Sequence, residues 1–160
     1  MEGKYLINEK VLSEIKDSII NTDNKLVKLS GIKISELKER YIKLEMPLGD
    51  VNINHIGTAY AISIVMLMEV AGASLIRATY GTSEYIPIIK RIDIQYIKPT
   101  SDTLVCELKM TEEDAEKSIR PIEERGRGNF LLPVLVTDIN GNEVAKAEFT
   151  FYLIPPDYKI

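Results

Sequence analysis

The sequence predicts an α+β domain in which an antiparallel sheet of about six strands wraps around one long central helix. The first observation is a strongly apolar stretch, because between Val51 and Ile76 the chain carries a single formal charge, Glu69. The second is a set of segments in which apolar and polar residues alternate, two before this stretch and four after it, as in half-buried strands. The third is Asn140-Gly141, a strong signal for a tight antiparallel hairpin.

The elements before the apolar stretch are a helix and a hairpin. Asn8 to Ile20 is predicted to be an amphipathic helix whose first turn is capped by Asn8. Gly31–Leu37 and Arg40–Leu48 are then predicted to be two paired strands, because apolar residues alternate with polar ones in the second segment.

The apolar stretch itself is predicted to be the central helix, because its apolar residues cover every face of a helix. Such a helix is buried on all sides, so we expect Glu69 to be a buried carboxylate whose pKa is raised by desolvation. A membrane span is not expected, because polar residues interrupt the stretch and a carboxylate at the bilayer centre costs about 3 kcal/mol. The apolar residues are Ile62, Ile64, Val65, Met66, Leu67, Met68, Val70, Leu75 and Ile76.

Four strands are predicted after the helix, with a charged helical excursion between the second and the third. Lys90 shares the alternation phase of the apolar residues in the first strand, so either its stem lies along the core or its charge meets an acid or a substrate. Cys106 falls in the apolar phase of the second strand and is expected to be a core residue rather than a nucleophile. The predicted elements are strands at Tyr85–Ile97 and Leu104–Met110, a helix at Thr111–Glu124 that a Thr111-x-x-Asp114 pattern caps, and strands at Phe130–Thr137 and Val144–Ile154.

Composition narrows the classes of function. With 20 basic and 24 acidic residues the net charge is −4, which argues against nucleic acid as a partner. One histidine and one cysteine are too few for a metal site, and Met1–Lys10 lacks the apolar segment of a signal sequence. We expect a cytoplasmic protein of one domain over residues 1–160, with an N-terminal helix and linker at 1–24 and a core at 25–155.

From Asn54 to Glu69 the sequence reads NHIGTAYAISIVMLME, and together with the order of elements this stretch resembles the hot-dog fold thioesterases of the phenylacetyl-CoA type. In that family the signature is Asn, two residues, Gly, two residues, His-Gly-Gly, and then Asp further along the same helix. The resemblance is closest to the branch that has Glu in place of Asp and lacks His-Gly-Gly. It covers about residues 31–154 and implies a hot-dog fold.

The resemblance implies catalytic roles for four residues. Asn54 matches the asparagine that positions the water or the thioester, and Tyr60 stands where the family has histidine. Ala61 matches the glycine whose backbone N–H polarises the thioester carbonyl, and Glu69 matches the acid that acts as general base or nucleophile. The alternatives are a satisfied buried acid for Glu69 and a helix cap or turn residue for Asn54.

The chemistry of thioester hydrolysis agrees with these roles. Negative charge develops on the carbonyl oxygen, and the free N–H groups of a helix's first turn can stabilise it. If the helix begins near Gly57–Thr58, the N–H groups of Tyr60 and Ala61 are among those donors. Eight residues of helix separate Ala61 from Glu69 by about 12 Å, so a working site needs Glu69 from a second subunit. The family meets this need with a homodimer, and we expect a homodimer or a dimer of dimers.

Six further residues are predicted to bind substrate. Three lie in the loop before the central helix, where a lone histidine is also compatible with a purely structural role. The two arginines could contact the phosphates of coenzyme A, or they could belong to a solvated charged loop. The six residues are Gly57, Thr58, His55, Lys90, Arg125 and Arg127.

The expected function is an acyl-CoA thioesterase that needs no cofactor and takes a thioester of coenzyme A or of an acyl carrier as substrate. One alternative is a binder of acyl groups or other small ligands without turnover, which the loss of His-Gly-Gly favours. Another is a hydroxyacyl dehydratase, because His55 and Glu69 have the spacing of the hot-dog dehydratases, although the proline-rich helix start of those enzymes is missing. A structural interaction module without a pocket beside Glu69 is a third alternative.

Overall fold

The computed structural model describes residues 4–159, so the domain expected over residues 1–160 includes four terminal residues outside this range. The described residues form four helices and six strands, and the predicted α+β class is confirmed. In chain order these elements are α1 (Glu9–Ile20), α2 (Lys25–Ser30), β1 (Lys33–Lys38), β2 (Tyr41–Met46), α3 (Ala61–Tyr80), β3 (Ile86–Tyr96), β4 (Leu104–Lys109), α4 (Glu112–Arg125), β5 (Gly128–Asp138) and β6 (Glu143–Ile154).

The six strands form one sheet in the order β1-β2-β4-β5-β6-β3, and every neighbouring pair is antiparallel. The predicted hairpin between β5 and β6 is confirmed. Gly141 adopts φ 84°, a conformation that favours glycine, and the Asp138 carboxylate accepts hydrogen bonds from the backbone of Asn140 and Asn142. Because β1 and β3 are the outer strands of this order, each has one edge without a neighbour in the chain.

The helix caps at two predicted positions are also confirmed. The side chains of Asn8 and Thr111 each accept a hydrogen bond from the backbone N–H three residues later, at the start of α1 and α4. The short helix α2 is an element that the pattern of apolar residues did not predict. Its six residues make fewer than two turns, too short for a helical period to stand out, although Asn24 caps it in the usual way.

The central helix α3 packs on the inner faces of β2, β4 and β5, and twelve of its 20 residues are buried. Gly72 allows the closest approach, because a Cβ atom there would lie 2.8 Å from Cζ of the buried Phe151 ring. Ala61–Tyr80 is long and apolar enough to cross a membrane, and it is the only such helix among residues 4–159. Its burial within the fold is that of a core helix.

One face of α3 remains open, so the prediction that Glu69 is buried was wrong for the single chain: Glu69 is exposed. Ile62 is 61% exposed, and Met66 is partly buried. The sheet covers only one side of the helix. On the other side α1 covers only the C-terminal part, where Arg77 Nη1 donates to Ser18 Oγ at 2.8 Å. We refer to Ile62, Met66 and Glu69, which follow helical spacing, as the α3 stripe.

Lys90 does not lie in the inward phase that strict alternation predicts, because β3 contains a bulge at this residue. Ile89 and Arg91 pair with successive residues of β6, which leaves Lys90 without a partner and reverses the alternation of the strand. Ile92 therefore faces inward, and Lys90 is exposed and donates to Asn129 Oδ1 at 3.1 Å. The alternation of apolar and polar residues in the sequence does not reveal this change of register.

Candidate active site

The chain enters α3 through a tight loop between residues 53 and 59. Ile53 and Ala59 form a short antiparallel bridge, and inside it the N–H of Asn54 donates to the carbonyl of Thr58 at 2.8 Å. The N–H of Gly57 donates to the carbonyl of Asn54 at 3.0 Å, and Gly57 adopts φ 80°, which a side chain would strain. The predicted loop residues are therefore held in one compact turn.

The Asn54 side chain is the centre of that turn. Its Oδ1 accepts hydrogen bonds from the N–H groups of Ile56 and Thr58, both at 3.1 Å, and its Nδ2 donates to Thr58 Oγ1 at 2.9 Å. This is the turn role considered as the alternative to a catalytic role. One N–H of the amide is not used in these bonds and is available to a ligand.

The helix starts later than predicted, at Ala61 rather than near Gly57–Thr58. The tight loop occupies the earlier residues and cannot also be helical. Tyr60 is the N-cap, and its N–H donates to the carbonyl of Asn52 at 2.7 Å. The prediction that the Tyr60 N–H is a free donor was therefore wrong, whereas the Ala61 N–H belongs to the first turn of the helix.

The first turn of α3 has no side-chain cap. Tyr60 makes no capping hydrogen bond with its side chain, and the first bond of the helix joins the Ile64 N–H to the Tyr60 carbonyl at 3.2 Å. The N–H groups of Ala61, Ile62 and Ser63 precede this bond and have no acceptor within the helix. These groups and the helix dipole favour an anionic ligand at this end.

A pocket of about 290 Å³ lies at this end of the helix. Three of the predicted residues line it together, namely Asn54, Thr58 and Ala61, whereas Tyr60 and His55 have exposed side chains that do not line it. The opposite wall is formed by the end of β3 and the residues after it. The remaining lining residues include Ile56, Ile64, Tyr96, Lys98, Thr100 and Val144.

Glu69 does not reach this pocket within its own chain, since it lies two turns further along α3. Although the residue is exposed, partial burial of its carboxyl group raises the pKa above the usual range. The chain therefore carries an acid of raised pKa on the open face of α3 and a set of free N–H groups at the helix end, about 12 Å apart.

The two arginines expected to bind phosphate are distant from the pocket within the chain. Arg125 and Arg127 precede Gly128, which pairs with Leu153 near the end of β6, whereas the pocket lies beside Val144 at the start of β6. Nine residues of strand span about 30 Å. The single chain thus does not bring these arginines together with the helix end.

Tyr96 is a pocket residue that the sequence did not single out. Its hydroxyl donates to the carbonyl of Ala61 at 3.0 Å, and partial burial raises its pKa, so it remains a donor at neutral pH. Its strand alternation was recognised, but no local motif links the last residue of β3 to the first turn of α3. Only the folded chain places them in contact.

Cys106 and a large surface groove lie outside this site. Cys106 is buried, as predicted, and burial raises the pKa of its thiol to about 12, so it is not a nucleophile. A groove of about 670 Å³ beside β3, β5 and β6 has Asp93, Lys146 and Glu148 among its lining residues and contains none of the predicted site residues.

Comparison with known proteins places the chain in a family. Residues 28–153 match the family described as DUF4442, a domain of unknown function. The chain belongs to the DUF4442 family. None of the curated proteins is similar enough in sequence to be matched to this DUF4442 protein.

Solved structures share the fold of this DUF4442 protein. A Pseudomonas aeruginosa protein of unknown function, described as a probable thioesterase, superposes with a TM-score of 0.80 at 24% identity over 95% of this chain and 99% of that chain. A hypothetical thioesterase from Streptococcus pneumoniae with coenzyme A has a TM-score of 0.59 at 16% identity, covering 76% and 87% of the two chains. A Streptococcus mutans protein bound to acetyl-CoA has a TM-score of 0.61 at 20% identity, covering 78% and 89%.

These likenesses confirm the predicted fold. The DUF4442 domain is a hot-dog fold, with a six-stranded antiparallel sheet against one long helix, and several of its structural neighbours are described as thioesterases or probable thioesterases. The resemblance drawn from the stretch between Asn54 and Glu69 is therefore confirmed as a resemblance to the hot-dog fold.

Proposed function

We propose that this protein is an acyl-CoA thioesterase whose site is completed by a second copy of the chain. The observation that carries the proposal is the uncapped first turn of α3, whose first residue, Ala61, lines a pocket together with Asn54. A developing oxyanion is the ligand that such a helix end stabilises best. The coenzyme A and acetyl-CoA bound in two of the structural neighbours support a thioester of coenzyme A as the substrate.

In the proposed reaction the thioester carbonyl lies at the first turn of α3, and its oxygen accepts a hydrogen bond from the Ala61 N–H. Glu69 of the second subunit either takes a proton from a water that attacks the carbonyl carbon or attacks that carbon itself. The carbon–sulfur bond then breaks, and the thiolate of coenzyme A leaves and takes up a proton. Where Glu69 itself has attacked, water next hydrolyses the acyl–Glu69 anhydride and regenerates the carboxylate. Water and the thioester thus give a carboxylic acid and a thiol.

The open face of α3 is an argument for a second subunit at this site. In the α3 stripe Ile62 is 61% exposed and Met66 is only partly buried, so a second copy that covers these side chains would remove apolar surface from water. The inner face of β3 is also incompletely covered, because Ile92 is 36% exposed and Tyr96 is 46% exposed. Since β3 also has a free edge, a second copy can extend the sheet and cover these residues with its own α3.

The direct test is hydrolysis of a panel of acyl-CoAs by the parent protein and by Glu69→Gln. We expect turnover by the parent and a loss of at least about a hundredfold in kcat/KM for Glu69→Gln, because the amide cannot accept the proton or attack the thioester. Since the pKa of Glu69 is raised, the rate of the parent should fall as the pH drops through that pKa, where the carboxylate becomes protonated.

Glu148→Gln is the matched control, because Glu148 is an exposed glutamate on β6 away from the helix end. It should retain the parental rate. Equal rates for the parent and Glu69→Gln would contradict the catalytic assignment.

A second candidate is an acyl-CoA binder without turnover. The hydrogen bonds of Asn54 favour this second function. Three bonds within the loop engage the Asn54 amide, which leaves a single N–H for a ligand. Binding of coenzyme A or acyl-CoA, measured by calorimetry, with no hydrolysis of any acyl-CoA in the panel, would favour this function over the thioesterase.

A further inference from the structure

The first turn of α3 is held in place by three hydrogen bonds, which come from two sides. The loop side contributes two backbone hydrogen bonds just before the helix, from Ala59 N–H to the Thr100 carbonyl at 2.8 Å and from Tyr60 N–H to the Asn52 carbonyl at 2.7 Å. The sheet side contributes one side chain, Tyr96. Because the other two bonds join backbone groups, the hydrogen bond of Tyr96 is the one that a side-chain substitution can remove.

The Tyr96 hydroxyl donates to the carbonyl of Ala61. That carbonyl belongs to the same planar peptide group as the N–H of Ile62, so a hydrogen bond to its oxygen fixes the direction of that N–H. The carbonyl oxygen has two lone pairs and can accept from Tyr96 as well as from the helix. Donation to the oxygen also polarises the peptide, which strengthens the N–H at its other end.

We propose that Tyr96 is a positioning residue, which orients and polarises the peptide between Ala61 and Ile62 so that the Ile62 N–H acts as a second donor to the oxyanion. This inference rests on the proposed thioesterase function and deepens it at the same site. Because Ile62 N–H precedes the first hydrogen bond of the helix, it is available to a ligand. Tyr96 lines the same pocket as Ala61, so both lie beside the proposed substrate.

Tyr96→Phe tests the inference, because it removes the hydroxyl and retains the ring. With acyl-CoA as substrate we expect kcat to fall about tenfold while KM changes less than about twofold, since the oriented donor stabilises the transition state more than the bound substrate. In an NMR spectrum the amide signal of Ile62 should shift. The amides of Ile64 and Val65, which close the first turn, should exchange faster with solvent.

Tyr152→Phe is the matched control, because Tyr152 lies on β6 with its ring under Lys90 and away from the helix end. It should leave kcat and the Ile62 signal unchanged. An unchanged kcat for Tyr96→Phe, or an unchanged Ile62 signal and unchanged exchange, would overturn the inference. Should the parent hydrolyse no acyl-CoA, the proposed function fails, and the NMR measurements alone decide whether Tyr96 holds this peptide.

Discussion

Asn54 illustrates how the site depends on single residues. Its amide makes three hydrogen bonds that close the loop before α3, and the same amide lines the pocket at the helix end. A turn role and a binding role are therefore compatible in one side chain. The sequence predicted a site residue at Asn54, and the structure shows that this residue lines the pocket at the start of α3. The sequence could not distinguish the turn role from the binding role, because the hydrogen-bond partners of the Asn54 amide depend on the folded conformation of the loop.

Substitutions at Asn54 separate its two kinds of hydrogen bond. Asn54→Ala removes all three bonds and should lower the free energy of unfolding by about 2 kcal/mol. Asn54→Asp keeps the oxygen that accepts from Ile56 and Thr58 and loses only the donation to Thr58, so its loss should be below about 1 kcal/mol. Urea unfolding measures both. Equal stability of Asn54→Ala and the parent would contradict the role of this amide in the loop.

At the scale of elements, most of the fold could be predicted because its signals are local. The amphipathic period of α1, the caps at Asn8 and Thr111 and the turn at Asn140-Gly141 each depend on a few neighbouring residues. The bulge at Lys90 depends instead on the pairing of β3 with β6 and left no comparable signal. The start of α3 was misplaced because the tight loop competes with the helix for the same residues.

The packing of α3 on the sheet depends on Gly72. An added Cβ atom would lie 2.8 Å and 2.9 Å from two atoms of the Phe151 ring, which is 1% exposed and has no space to move. Gly72→Ala should therefore lower the free energy of unfolding by about 1–3 kcal/mol, even though alanine favours a helix by about 1 kcal/mol over glycine.

Urea unfolding of Gly72→Ala measures this effect, and Gly49→Ala is the control. A Cβ atom at Gly49 meets nothing within 4 Å, so this variant should be as stable as the parent. A Gly72→Ala protein that is more stable than the parent would show that the helix can move away from the sheet.

At the scale of the whole molecule, the face of α3 that the sequence predicted to be buried is open in the single chain. The prediction rested on the apolar character of every helix face, which cannot tell burial inside one chain from burial against a second copy. The α3 stripe and the exposed inner face of β3 lie on the side of the molecule that a second subunit would cover.

Substitution of the stripe should dissociate the proposed dimer. We expect the parent to sediment as a dimer or larger species and Met66→Lys to sediment as a monomer, because a lysine at this position would be desolvated in the interface. Leu131→Lys changes another exposed aliphatic residue, 56% exposed on β5, and should not produce a monomer. A monomeric parent in analytical ultracentrifugation would contradict the shared site.

The proposed catalysis requires that Glu69 of one subunit acts at the α3 N-terminus of the other. Two variants can separate the contribution of the acid from that of the helix N–H. Glu69→Gln lacks the acid, and Ala61→Pro lacks the N–H. Proline suits the first position of a helix, and Tyr60, with φ −72° and ψ 130°, has a conformation that can precede proline.

Mixed dimers of Glu69→Gln and Ala61→Pro, isolated through two different affinity tags, provide the most direct measurement. If each site uses residues from both subunits, a mixed dimer contains one intact site and should show about half the acyl-CoA hydrolysis of the parent dimer, although each variant alone is nearly inactive. A mixed dimer with no more activity than the two variants alone would contradict the shared site.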